Sequence, residues 1–136
     1  MLNIPLDLAL EVIRLAREGY PDEVCGLIAG RDGACERIIP MTNNHESPGG
    51  AYEYDPLEQA RVWKQMIDRG EIPVVIWHSH PSMEAYPSSI DTMHANDSGA
   101  HYLIVAPGRH KNWWGQEFRS YRILDGIVVE EEVNVT

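Results

Sequence analysis

The sequence predicts an α/β fold, on three observations: two segments with helical apolar spacing, several short apolar runs bounded by turn residues, and the alternation of these two kinds along 136 residues. No internal repeat, low-complexity tract or linker divides the chain, so residues 1–136 are read as one domain with all its chemistry on a single sheet-based scaffold.

The first helix is predicted over about residues 5–18. Pro5 suits a first helical turn, Leu6, Ala9, Leu10, Ile13 and Ala16 recur at helical spacing, and Gly19, Tyr20 and Pro21 stop the pattern. Val24 to Gly30 and Glu36 to Met41 are short apolar runs joined through Arg31, Asp32 and Gly33, which reads as a β-hairpin. Residues 43–56, rich in turn formers, read as a loop ending at Asp55, a helix cap followed by Pro56 at the first helical position. The second helix is expected to place Leu57, Ala60, Trp63, Met66 and Ile67 on one side and to end at Gly70. Ile72 to Trp77 is nearly continuous in apolar residues, as a strand buried on both faces would be. Leu103 to Ala106 reads as another strand, and Glu117 to Leu124 and Ile127 to Val135 as two more around an Asp125-Gly126 turn.

Composition narrows the function. Eleven Lys plus Arg against 21 Asp plus Glu give a net charge of −10, a field that repels nucleic acid. Cys25 and Cys35 form no CxxC pair and are too few for a secreted disulfide scaffold, so reduced thiols in a cytoplasmic protein are expected. Asp7, Glu11 and Arg14 interrupt any signal-like apolar stretch, and no run approaches the ~20 residues of a membrane span.

The chemistry is concentrated in HSHPSMEAYPSSID, residues 78–91, directly after the buried strand, where open α/β sheets build their sites. Residues two apart on a strand share a face, so His78 and His80 present their imidazoles together while Ser79 points away. Pro81 keeps His80 extended. Asp91, returning from the loop, would add an oxygen ligand, and three protein ligands plus water make a catalytic zinc site. Taken singly, the histidines equally suit satisfied imidazoles at a strand end, and Asp91 suits a helix start capped by Ser88.

The complete pattern HxHPx6SxxD resembles the JAMM (also MPN+ or JAB) metallopeptidases, in their compact prokaryotic form. Upstream, Glu23-Val24-Cys25-Gly26-Leu27-Ile28-Ala29-Gly30 resembles the family's first strand, in which a catalytic glutamate precedes a Cys-Gly pair, and the likeness extends over most of the chain. The resemblance implies a JAB/MPN domain with a mixed β-sheet flanked by helices, an architecture related to that of the cytidine deaminases. It implies one zinc ion per chain bound by His78, His80 and Asp91, Glu23 as general base, and Ser88 positioning the water or stabilising the oxyanion. The implied reaction is hydrolysis of an amide at the carboxyl tail of a ubiquitin-like, sulfur-carrier protein. A homodimer is admitted, and neither nucleic acid nor membrane is expected as a partner. The chain lacks the long insertions of the eukaryotic deubiquitinating members.

Two other classes compete. A non-catalytic scaffold is the fate of relatives that lose their ligands, whereas every ligand is present here. A non-haem Fe(II) enzyme also uses two histidines and a carboxylate, but on a β-rich framework, and the HxE and PCxxC signature of zinc deaminases is absent. Cys25 reads as a small buried packing residue, and His45, His94, His101 and His110 lack ligand spacing. Met83 and Tyr86 lie in the ligand-bearing loop as candidates for substrate contact. Trp113 and Trp114 fit core packing or an exposed substrate-binding edge.

Overall fold

A computed structural model describes residues 1–107 and 117–136. Among the described residues, eight strands and three helices follow one another as β1 (Leu2–Ile4), α1 (Leu6–Gly19), β2 (Cys25–Gly30), β3 (Arg37–Met41), α2 (Pro56–Asp68), β4 (Ile72–Ser79), α3 (Ser89–Met93), β5 (His101–Val105), β6 (Phe118–Leu124), β7 (Ile127–Glu131) and β8 (Val133–Val135). Six strands form one mixed sheet in the order β3-β2-β4-β5-β6-β7, in which only β4 and β5 run parallel. The predicted α/β class, the hairpin of β2 with β3 and the hairpin of β6 with β7 are all present. The second hairpin turns through Asp125 and Gly126 with φ of 51° and 77°, the left-handed pair a two-residue turn demands.

The sheet separates two packing layers because its strands alternate sides. On one face Val75 and Trp77 of β4 and Ile28 of β2 meet Ala9, Val12, Ile13 and Ala16 of α1, together with Leu2 and Ile4. On the other, Cys25, Leu27 and Ala29 of β2 and Ile39 and Met41 of β3 cluster with Met66 of α2, while Tyr102, Ile104, Tyr121 and Ile123 pack around Ala85 and Ala100. His78 and His80 follow Ile76 on this second face.

The helix faces are rotated from the expected ones. In α2, Leu57 and Ile67 are 72% and 73% exposed, and the inward stripe is Val62, Trp63 and Met66. In α1, Leu6 and Leu10 are half exposed and Val12 takes the inward place. Each helix touches the sheet along a narrow line, so only the residues on that line lose water and the flanking apolar residues stay wet. The final strand also divides: β7 stays on β6, whereas β8 leaves after Glu132 to pair in parallel with β1. The three-residue alternation of buried Leu2 and Ile4 around Asn3 in β1 is too short to show as a periodic signal.

Among the described residues no helix is long and apolar enough to cross a membrane. Trp113, Trp114 and His110 lie outside the described residues.

Candidate metal centre

Strand β4 delivers the first two groups. Its parallel pairing with β5 runs through Ser79 opposite Val105, and the His80 N–H donates to the Val105 carbonyl at 2.8 Å, so the backbone stays extended one residue past the strand. His78 and His80 therefore project side by side from the same face, and both are buried. The third group comes from α3, a single five-residue turn. Its start is held by a capping box: the Asp91 N–H donates to Ser88 Oγ at 3.0 Å and the Ser88 N–H donates to Asp91 Oδ2 at 2.9 Å. The cap aims Asp91 at the two histidines.

Three donor atoms converge. His78 Nε2 and His80 Nε2 stand 3.0 Å apart, and each lies 3.2 and 3.1 Å respectively from the same oxygen, Asp91 Oδ2. Two ring nitrogens facing each other beside one carboxylate oxygen form a donor set that a cation bound among them would satisfy. A tetrahedral zinc with bonds of ~2.0–2.1 Å needs its donors ~3.3 Å apart, close to this triangle. His80 Nδ1 donates to the Glu84 carbonyl at 2.8 Å, which leaves Nε2 with the lone pair a metal takes. Two imidazoles and a carboxylate fit zinc in its catalytic form, with one position free.

Glu23 completes the cluster from the segment leading into β2. It precedes the first ladder residue, Cys25, which is opposite His78. Ser79, whose side chain points to the other face as expected, anchors this approach: its Oγ accepts from the Val24 N–H and its own N–H donates to the Val24 carbonyl, both at 2.9 Å. Glu23 offers a ligand-type atom within 4.8 Å of those of His78 and His80. Asp91 Oδ2, at 3.2 and 3.1 Å from the two ring nitrogens, is the third donor of the candidate set, and Glu23 stands beside it. Glu23 is only 6% exposed and its Oε1 is buried with no hydrogen-bond partner.

Electrostatics separate the two carboxylates. Burial pushes the Glu23 carboxyl up to about 7, with His80 opposing and Asp91 adding to the rise. Burial would also raise Asp91, but hydrogen bonds from His78 and His80, together with the Ser88 N–H, hold it far below the ordinary carboxylate range. Burial lowers His78, whereas for His80 the same burial is outweighed by Asp91 and the Glu84 carbonyl, which raise it. A proton acceptor near neutrality thus stands beside a carboxylate held in its ionised form.

The remaining predicted residues divide. The Tyr52 ring, which no sequence signal marked, lies 4.6 Å from the His78 ring and walls the site. A groove of about 880 Å³ at Asp91 is lined by Tyr52, Tyr54, Trp63, Ile90 and Met93. His45 and His94 line this groove without joining the donor triangle, and His101 pairs with Glu131 at 2.9 Å instead. Met83 and Tyr86 are 49% and 47% exposed in the ligand-bearing loop. Cys25 is buried, bonds the Met41 carbonyl, and its thiol is pushed up to about 12 by burial, which makes it a packing residue rather than a nucleophile.

Comparisons with known proteins identify the relatives of the chain. Residues 5–123 match the family described as prokaryotic homologs of the JAB domain. The chain is 48% identical over 140 residues to the CysO-cysteine peptidase of Mycobacterium tuberculosis, covering 99% of this chain and 91% of that protein. It is 34% identical to the desampylase of Haloferax volcanii, covering 90% of this chain and 94% of the other. The solution structure of protein DSY2949 from Desulfitobacterium hafniense superposes with a TM-score of 0.83 at 32% identity, covering 100% of this chain and 93% of that one.

Proposed function

The chain belongs to the prokaryotic JAB-domain family and is a JAMM-type hydrolase, and on that premise we propose that it is a zinc-dependent peptidase or isopeptidase cutting an amide at the carboxyl tail of a ubiquitin-like sulfur-carrier protein. The observation that carries this reading is the convergence of His78, His80 and Asp91 on one point, 3.0–3.2 Å apart, beside the unpartnered oxygen of Glu23. His78, His80 and Asp91 would hold one zinc ion. When bound, such an ion lowers the pKa of water towards ~7 and polarises a carbonyl.

The chain's own groups do the rest. Glu23 Oε1 accepts the proton of the attacking water, and the same carboxyl then delivers it to the leaving amine. Its raised affinity for protons suits both halves of that exchange. Ser88 Oγ accepts from Asp91 N–H yet keeps its own hydroxyl proton, which it donates to the developing oxyanion. Capping and catalysis use different valences of one hydroxyl. An extended tail lies in the groove lined by Tyr52 and Ile90.

The 48% identical relative is named for a CysO-cysteine substrate, so the first leaving group to assay is cysteine. We place the activity in the cytoplasm with no nucleic acid or membrane partner, in keeping with the charge of −10 and two buried free thiols, and a homodimer is open to measurement by light scattering. The test is mass spectrometry of a ubiquitin-like carrier protein whose terminal glycine is amide-linked to cysteine, before and after incubation with zinc-loaded protein. Release of cysteine that stops on chelation supports the reading. Failure to cut this substrate, a carboxyl-terminal peptide extension or a lysine-linked conjugate would sink it.

A further inference from the structure

Glu23 lies outside the sheet ladder, which begins at Cys25, so the regular strand pairing does not fix its backbone. Two bonds from the segment after β3 do. The Glu23 N–H donates to the Pro48 carbonyl at 2.7 Å, and Asn43 Nδ2 donates to the Glu23 carbonyl at 2.9 Å. Asn43 Nδ2 also donates to the Ala51 carbonyl at 3.0 Å, and its Oδ1 accepts from the N–H groups of His45 at 3.0 Å and Glu53 at 3.2 Å. An asparagine amide has two donors and two acceptor lone pairs, and all four are used here. The stretch it gathers, including the bridge from Asn43 to Tyr54, carries Tyr52 against the His78 ring.

We propose that Asn43 is a positioning residue: its amide ties the backbone of Glu23 to the 43–54 loop, setting the carboxylate against the metal-ligand triangle. This rests on the reading of Glu23 as general base. The acceptor half of Asn43 makes a local turn that any loop could use, since Oδ1 bonds the N–H two residues on. The donor half is different, because it crosses 20 residues of chain to reach the base. A carboxylate displaced by even ~1 Å loses its line to the water, at a cost of up to about 100-fold in rate.

Asn43→Asp and Asn43→Ala separate the halves. The aspartate keeps both acceptor contacts and loses both donors, and the alanine loses all four. Both are to be loaded with zinc and compared with wild type in metal content, amide hydrogen exchange, and kcat and KM on the cysteine-linked carrier protein. The expected result for both is one zinc per chain, unchanged exchange in β4 and β5, exchange at Glu23 and Val24 faster by about tenfold or more, and kcat lower by about 10- to 100-fold with KM within about twofold. Wild-type exchange at Glu23 and Val24 in Asn43→Asp would overturn the tether, as would wild-type kcat. Loss of zinc or of β4 protection in both variants would make Asn43 a general structural residue and overturn it equally. A defect in the aspartate alone would assign the effect to added charge. If wild type leaves the carrier uncut, the substrate reading fails while hydrogen exchange still decides the tether.

Discussion

Glu23 combines two properties that folding alone disfavours, burial of an ionisable group and an oxygen without a partner. Its proposed role predicts a separation between metal binding and turnover. Glu23→Gln keeps the shape and the zinc, and lowers kcat by about 100-fold or more, because the amide cannot carry the water proton. His78→Ala or Asp91→Ala loses zinc and turnover together, read by elemental analysis beside the cleavage assay. Equal zinc loss in Glu23→Gln would contradict the base assignment. In the metal-free protein the same residue sets a pH dependence. The folded-state value is raised from 4.5 to about 7, so the unfolded chain sheds its proton first as pH rises. Stability from this group therefore falls between about pH 4.5 and 7, by up to about 3 kcal/mol. Asp91, held low, contributes stability that is lost only as pH falls below its ordinary value of 3.8, in a separate window. Urea midpoints of metal-free wild type and Glu23→Gln should diverge from pH 4.5 to 8, with the glutamine variant the more stable at pH 8.

Packing between elements explains the glycine of the Glu-Val-Cys-Gly run. Gly26 faces Trp77 across the β2 and β4 pair, and a Cβ there would stand 2.4 Å from Trp77 Cζ2 and 2.6 Å from the Ile39 carbonyl oxygen. Trp77 is fully buried and the carbonyl belongs to a paired strand, so neither yields easily. Gly26→Ala is expected to cost about 1–3 kcal/mol in urea denaturation, through overpacking rather than lost backbone freedom. Helix α3 makes the complementary case. It is too short to persist by its own hydrogen bonds, and the box between Ser88 and Asp91 holds it. Ser88→Ala should destabilise the protein by about 1 kcal/mol and weaken zinc binding about 10- to 100-fold, since the cap also aims Asp91. Competition with a chromophoric chelator measures the second effect, and wild-type affinity would mean the cap does not orient the ligand.

For the whole molecule, the candidate ligands come from the end of β4 and from α3, and the neighbouring carboxylate from the segment leading into β2, so the site exists only when the sheet is assembled. A metal held by such a site binds the folded state alone and raises its stability by about 2.7 kcal/mol at free zinc 100 times the dissociation constant. Thermal melts with and without zinc should therefore separate for wild type and coincide for His80→Ala. A zinc-dependent shift that survives in His80→Ala would move the metal away from the triangle.

Much of this was legible in the chain. Helix and strand placement followed from spacing that repeats over two or more turns or several strand residues, and the capping signals at Asp55 and Ser88 are local, so they survive reading one residue at a time. The HxHP and SxxD spacing likewise lies within fourteen residues, and the structure brings those side chains together with Glu23. What the chain alone left undecided depends on partners distant in sequence. Leu57 and Ile67 keep the spacing of buried residues yet face water, because only the docking angle of α2 selects the inward line. Leu2 and Ile4 are buried in the cluster of α1 and the main sheet, and their strand pairs with β8, some 130 residues away. Asn43 reads in sequence as one turn former among many, and only the fold puts the Glu23 carbonyl within reach of its amide. Local periodicity records how a segment bends, whereas hydrogen bonds and burial between segments depend on the closure of the sheet, and that closure leaves no mark in the spacing of any one segment.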